Sequence, residues 1–436
     1  MNRVQQQYKI TEAYITSERI NGTVDVRPTI AELTFFEDIE KPYITGQIAL
    51  VDDAGTFDTI SMSGTERIFI TIASEDSTLD PVMSRSFLMY RIDRIIKSSE
   101  AGDASTYVFD IIDEHAITGE GVKISRTVQG SLEEEITRIC VADMGKQVDQ
   151  SYMSSSAQSN FKINIPYLTP IAACEWLRNR ATTENGMPFF LYASIHDTNL
   201  RLGNLEVMLS QLAWNKDLPY TFAPANVQNA ETQTPLERTM TIQAMKAVAL
   251  QNTRQQMKTG GIGSLYNNTN LSTGRISSTK FDVTKLLEQM ESEQIIGPNQ
   301  NVYNESFITE MGKSLHEMNS KVFHQVTSTG TYDTFKSIHD EIDGTRLLKK
   351  IESMATRNML YKNMYDVTVP GAGFIVSKAS VGDIVRLDVL GDNNDPNRSE
   401  ALDQSRSGNF LIYNTRHVFR DTRHNVAMTV CKLERG

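Results

Sequence analysis

The stretch Ile30-Ala-Glu-Leu-Thr-Phe-Phe-Glu-Asp-Ile39 reads as a β-strand, and Pro42-Tyr-Ile-Thr-Gly-Gln-Ile-Ala-Leu-Val-Asp52 as a turn leading into a second. Both are rich in β-branched and aromatic residues and bounded by Asp, Gly or Pro. Phe35 and Phe36 put bulk on opposite faces, because successive side chains alternate. A strand apolar on both sides must be covered on both, by its own barrel or by a neighbouring chain. Arg67-Ile-Phe-Ile-Thr-Ile72, Phe87-Leu-Met-Tyr-Arg-Ile92 and Tyr107-Val-Phe-Asp-Ile-Ile112 continue the pattern. Together they define a first β unit over residues 10–118. Four more segments, 365–369, 384–389, 409–413 and 427–433, carry the same signature at the far end of the chain.

Between these units the code changes. Ser131 opens a helix whose capping box is completed by Glu134, with Leu132, Ile136, Ile139 and Cys140 as its apolar stripe and Gly145 as its stop. Thr169-Pro170 caps a second helix, expected to run to about 183, with Ile171, Cys174 and Leu177 on one face. Asn185-Gly186 then turns the chain into the strand Pro188-Phe-Phe-Leu-Tyr-Ala-Ser-Ile195, and Asp197-Thr-Asn199 turns it back into Leu200-Arg-Leu202. Further on, 235–252 reads as helical or mixed, 266–282 as polar with strand tendency, and 285–290, 307–322 and 334–359 as helical. In the last of these Phe335, Ile338, Ile342, Leu347, Leu348, Ile351 and Met354 recur at helical spacing. The fold class that follows is mainly β with α+β insertions: two antiparallel β units, a helix–hairpin α/β domain and a partly helical insertion.

At 436 residues the chain is long for one core. Its net charge of −11 argues against nucleic-acid binding as its main task, because phosphate neutralisation needs clustered Lys and Arg. Three cysteines, Cys140, Cys174 and Cys431, fall far apart without a C-x-x-C pair and read as reduced core thiols. The first ten residues contain no apolar signal region, and no run reaches the ~18 apolar residues of a membrane span.

No catalytic, cofactor or metal site stands out. Asp113-Glu114-His115 ends a strand, so its neighbours point to alternate faces. His339 and Asp343 share a helix face without the H-E-x-x-H spacing that binds zinc. His417 and His424 flank the final hairpin turn and read as structural imidazoles. Gly260-Gly-Ile-Gly263 lacks the Lys-Ser/Thr of a phosphate loop. Asp392-Asn-Asn-Asp395 begins like a calcium loop, but Pro396, Asn397 and Asp403 break the pattern. Cys174 lies on the apolar face of a helix, and Asp52-Asp53 and Glu133-Glu134-Glu135 read as turn and helix-face residues. The chain therefore reads as non-enzymatic.

The layout resembles the central baseplate hub proteins of contractile-tailed, T4-type bacteriophages. Three places carry the resemblance: 30–39 followed by 42–52 and Gly55; Thr169-Pro-Ile-Ala-Ala-Cys-Glu-Trp-Leu-Arg178 running into Pro188-Phe-Phe-Leu-Tyr192 and Leu200-Arg-Leu202; and Val381-Gly-Asp383 through Gly408-Asn-Phe-Leu-Ile412 to Arg416-His417 and Val426-Ala-Met-Thr-Val430. Residues 265–356 fall outside it. The resemblance implies a virion protein of the tail baseplate: a homotrimer in which each chain supplies two tail-tube-like β-barrels. Its pseudo-sixfold ring would seat a tail tube or tube-initiator ring on one side and a trimeric spike on the other. Tape-measure and baseplate wedge proteins are further implied partners. DNA would pass an acidic lumen without specific binding, and no membrane is involved.

On this view residues 1–118 form the first barrel, 119–226 the helix–hairpin domain, 227–264 with 357–436 the second barrel, and 265–356 the insertion. The apolar stripe of the last helix is expected to need a wedge protein or a neighbouring hub chain to cover it. Two other readings compete. One is a peripheral baseplate or tail-completion protein. The other is a phage cell-wall hydrolase whose site is assembled from Glu184, His196 and Asp197.

Overall fold

The computed structural model describes residues 8–17, 22–53, 55–60, 62–74, 83–97, 104–153, 161–183, 185–222, 238–248, 253–271, 274–292, 312–327, 344–360, 364–390, 402–403 and 406–432. Thirteen strands join one sheet. The first unit supplies β1 (Tyr8–Thr16), β2 (Thr23–Asp25), β3 (Ile30–Asp38), β4 (Thr45–Asp52), β5 (Glu66–Ser74), β6 (Met83–Lys97) and β7 (Ser105–Ile112). The rest of the chain adds β8 (Tyr220–Phe222), β9 (Ala244–Val248), β10 (Met364–Pro370), β11 (Ile384–Val389), β12 (Gly408–Arg420) and β13 (Arg423–Cys431).

The spine of this sheet is the row β9-β10-β13-β12-β3-β4-β7-β6, antiparallel at every step. Beyond β6 it continues through β5 and β1 to β2, while β11 and β8 branch from β12. The two β units expected from the sequence are therefore hydrogen-bonded to each other, through Asn414–Arg420 of β12 against Glu32–Asp38 of β3.

Cross-strand partners share a face, which gives the row two distinct sides. On one, Lys246, Asp366, Thr429, Asn414 and Asp38 line up across both units, as do Val418, Thr34, Gln47, Asp110 and Arg91. On the other, Phe419, Leu33, Ile48 and Phe109 form an apolar row. All four are at most 2% exposed, and each buried side chain of this size contributes about 2–3 kcal/mol.

Two hydrophobic clusters lie under this inner side. One joins the first unit to the helices Leu132–Met144 and Pro170–Arg178. The other joins the second unit to the helices Val283–Ser292 and Gly344–Leu360. The hairpin strand Phe189–Ala193 serves both. Phe189, Leu191 and Ala193 enter the first cluster, and Phe190 and Tyr192 the second, as strand alternation requires.

The helix starts follow the sequence closely. Ser131 Oγ accepts from Glu134 N at 3.1 Å, and Gly145 closes that helix in the left-handed region at φ 66°. Thr169 Oγ1 accepts from Ala172 N at 3.4 Å. That second helix stops at Arg178, short of the expected 183, because Thr182 turns back to bridge Pro188. Asp113-Glu114-His115 is also corrected: a helix, Glu114–Thr118, begins there with Asp113 at its N-cap position.

Larger departures fall in the second half. The stretch read as helical or mixed contains β9, and the one read as helical over 307–322 contains a short 3-10 turn, Leu315–Glu317, and the start of the strand Lys321–Thr327. That strand pairs in parallel with Gly263–Asn270, whose other edge pairs with Ile276–Asp282. This small sheet covers the helix Gly344–Leu360, whose Ile351, Ala355, Met359 and Leu360 are buried within the chain. An outside partner is thus not required for that part of the stripe. Phe335, Ile338, Ile342, His339, Asp343 and Asp392–Asp395 lie outside the described residues. Among the described residues, no helix is long and apolar enough to cross a membrane.

Backbone meets side chain most closely at Gly371, which donates its N–H to His424 O at 2.8 Å. A Cβ there would lie 2.1 Å from Nδ1 of His424, whose side chain is buried. Gly371→Ala is expected to lose roughly 1–3 kcal/mol by overpacking. Urea denaturation with an unchanged slope would show it as a lower midpoint; an unshifted midpoint would contradict this packing.

Candidate functional site

The chemistry-bearing residues gather where the two units and the hairpin meet. Glu37 sits on β3 two residues after Phe35, hence on the inner side, and its side chain has no exposure. His417 Nε2 donates to Glu37 Oε2 at 3.1 Å, Ser380 Oγ donates to Oε1 at 2.7 Å, and Ile195 N donates to Oε1 at 2.6 Å. Thr415 Oγ1 donates to Oε2 as well. Burial alone would raise the Glu37 pKa, but the hydrogen bond and charge of His417, with help from His196 and Thr415, hold it at about 2. His417 Nδ1 lies 3.1 Å from His424 Nε2, and the rings stack at 5.3 Å. Burial, then the His417 charge, depresses the His424 pKa well below the usual imidazole range.

Two further clamps surround this one. Arg85 on β6 forms a paired contact with Asp113 at 3.0 Å to each carboxylate oxygen, both side chains being 3% exposed. The same guanidinium donates to the carbonyls of Ser194 and Asp197 in the hairpin turn, and Asp113 Oδ2 accepts from Ile44 N at 2.7 Å. Glu40, after β3, receives Arg178 at 2.6 Å, Arg357 at 3.0 Å and the Tyr413 hydroxyl at 3.2 Å. Each acidic group thereby ties β3, or the ends of β4 and β7, to a distant part of the chain. A fourth cluster lies beside the hairpin. Arg201 stands 5.6 Å over the Tyr152 ring, and its charge is felt by both Tyr192 and Asp383. Burial raises Asp383 to about 6 despite Arg201 and the Ser380 N–H at 2.8 Å.

These groups hold elements together instead of presenting a reactive atom. Glu37 and His417 are sealed at 0% and 2% side-chain exposure, so no substrate reaches them. Of the three residues proposed for a hydrolase, Glu184 lies outside the described residues. His196 Nε2 meets Ala379 O at 3.0 Å, and Asp197 Oδ1 accepts from Asn199 N at 2.9 Å within the turn. His115 packs against Pro42 O at 2.7 Å, with its pKa lowered by burial. No group of three or more metal-ligating side chains occurs among the described residues. The cysteines are free and buried, as expected. Sequence reasoning did not single out Glu37, Arg85 or Glu40. For Glu37 a signal existed: Leu33, Phe35 and Glu37 share one strand parity.

The accessible surface at the seam is a groove of about 290 Å³ whose lining includes Phe36, Asp38, Lys41, Tyr43, Asn414 and Arg416. A second groove, of about 240 Å³, borders β9 and includes Phe222, Met245, Ala247, Tyr365 and Val389. Neither brings a nucleophile and a base together.

Two pH-dependent outcomes follow. Glu37, depressed from 4.5 to about 2, gives stability that is complete above pH 4.5 and is lost as pH falls through 2. Glu37→Gln is expected to cost roughly 3 kcal/mol at pH 7 and much less near pH 2, measured by denaturant unfolding at both; an equal cost at both would refute the charge argument. Asp383, raised from 3.8 to about 6, gives stability complete below pH 3.8 and lost as pH rises through 6. Asp383→Asn should remove a decline of up to about 3 kcal/mol that the wild type shows between those limits. Parallel pH profiles for the two proteins would sink that assignment.

Comparison with known proteins completes the picture. No family model matches the chain, and no curated protein does. A tail protein from Neisseria meningitidis MC58 shares the fold over nearly the whole length, covering 98% of this chain and 97% of its own at 12% identity and a TM-score of 0.52. The 43 kDa tail protein of prophage MuSo2 from Shewanella oneidensis aligns over 97% and 98% at 11% identity, with a TM-score of 0.49. A component of the E. coli type VI secretion system, described as structurally similar to the T4 tail proteins gp27 and gp5, aligns over 97% of this chain and 76% of its own. Its identity is 7% and its TM-score 0.44. The chain thus has the fold of the Neisseria tail protein.

Proposed function

We propose that this chain is a structural hub of a phage tail baseplate. In this reading it forms a homotrimer that adapts a sixfold tail tube, or its initiator ring, to a threefold central spike. The observation that carries it is the antiparallel row crossing both units, four strands to each side of the β3–β12 seam. Two similar units per chain are what three copies need to present six positions to a sixfold partner. The full-length fold shared with the Neisseria tail protein supports the same reading.

Residues 1–118 would form one tube-like barrel and 227–264 with 357–436 the other. The helix–hairpin of 119–226 would be wedged between them, and 265–356 would lie outside the ring. The polar side of the row would face the lumen, and a net charge of −11 lets DNA slide past without being held. The sealed carboxylates fit a scaffold without catalysis. Tape-measure and wedge proteins would meet the outer surfaces of the assembled ring, in a virion tail.

Light scattering on the purified chain, alone and with spike protein, is expected to give a threefold mass. Electron microscopy of the assembly should show a ring with sixfold features on one side. A monomer under every condition would overturn the hub reading.

A further inference from the structure

The two units repeat one pattern of strands. Read in one direction, β9-β10-β13-β12 is followed by β3-β4-β7-β6, so β12 occupies the place in its unit that β6 occupies in the other. Both are unusually long, at 13 and 15 residues. Both divide their pairing. The near end of β12 pairs with β11 over Gly408–Leu411, and the near end of β6 pairs with β5 over Met83–Met89. Both then shift register against the strand on their other side, β12 at Ile412/Asn414 and β6 at Met89/Arg91, skipping Tyr413 and Tyr90. Strand β6 shifts once more at Ile92/Arg94, skipping Asp93, which keeps Ile92 and Ile95 on one face. Past that bulge, β12 hands its free edge to β3 and makes the internal seam. Past its own bulge, the edge of β6 opposite β7 has no partner among the described residues.

The side chains agree with an unfilled seam. Every residue from Tyr90 to Lys97 is exposed. Ile92 and Ile95 stand opposite Phe109 and Tyr107, on the inner side of the sheet, where those partners are 1% and 4% exposed. Yet Ile92 and Ile95 are themselves 41% and 49% exposed. Among the described residues, the inner face runs on past its cover. At the other end of the row, β9 pairs only with β10 among the described residues, and occupies the place that β3 holds in the first unit. Its inward-facing Met245 and Ala247 help line the apolar groove of about 240 Å³.

We infer that the far half of β6, Arg91–Lys97, pairs antiparallel with β9 of a second copy of this chain, as Asn414–Arg420 pairs with β3 inside one copy. Ile92 and Ile95 then cover the groove beside Met245 and Ala247. Direction supports this choice of partner. The strands alternate from β9 to β6, so these two run oppositely, and a rotated copy continues the alternation unbroken. Such a contact joins two different edges, so it propagates head to tail and closes into a ring. The inference rests on the hub reading only for the number of copies, three.

Cysteine pairing tests it on the full chain, since the native cysteines are buried. Ile95→Cys together with Ala247→Cys in one chain should give, on mild oxidation, a covalent ladder that stops at three. A mixture of the two single variants should give disulfide-linked dimers only. Ile95→Asp, at a half-exposed position, should leave circular dichroism unchanged and convert the oligomer to monomer. Dimers from Ile95→Cys alone would mean β6 pairs with β6 and would overturn the inference. A trimer by light scattering that survives Ile95→Asp and does not cross-link would overturn it while leaving the hub reading intact. A ladder that closes at another number would support the strand pairing and refute the threefold hub. A chain that stays monomeric at every concentration tried, with and without spike, would remove both.

Discussion

The buried carboxylate of Glu37 is the constraint on which the arrangement depends. Taking an ionised carboxylate out of water costs several kcal/mol unless its lone pairs are all engaged. Here the four donors come from three parts of the chain: His417 and Thr415 from β12, Ser380 from the loop before β11, and Ile195 from the hairpin turn. The charge is tolerated only when all of these are in place at once. That condition fixes β12 against β3 and sets the hairpin beneath the seam. Arg85–Asp113 and Glu40–Arg178–Arg357 repeat the device on either side. The hairpin shares its side chains between both cores, so these clamps also decide how the two cores sit on one another.

Much of the fold was legible because its strands are bounded by turn residues and carry the right residue types. Strands β3 to β7, the caps at Ser131 and Thr169, and the hairpin at 189–204 all lie where the sequence places them. What escaped did so for physical reasons. Ala244-Met-Lys-Ala-Val248 is made largely of helix formers and becomes a strand only because β10 offers it an edge. The start of Lys321–Thr327 falls in a stretch of helical pattern, because its parallel partner lies 57 residues earlier, beyond any local signal. Tyr8–Thr16 mixes charged and apolar residues too evenly to stand out, and depends on β5 for its pairing.

The polar centre was half legible. His417 and His424 read as structural imidazoles, which their burial and stacking bear out. Glu37 went unnoticed because a lone Glu in a strand is normally assigned to water. Its parity with Leu33 and Phe35 placed it inside, but only the partner strand supplies the reason for an acid to be there. Nothing near Glu37 in the sequence points to a histidine 380 residues away.

A polar clamp and an apolar edge do different work in the same sheet. Slipping β12 by one residue against β3 would turn His417 to the opposite side and leave Glu37 charged and unpaired, a penalty of several kcal/mol. The internal seam therefore has one register. The far half of β6 carries Ile92 and Ile95 where β12 carries its clamp residues, and apolar contacts tolerate small offsets at little cost. In the proposed ring a joint of that kind would draw its register from the bulges at Tyr90 and Asp93 and from closure of the ring, since copies joined out of register would not meet. On that proposal the strict chemistry sits at the seam that forms once, during folding, and the weaker chemistry at the edge that would pair with another copy.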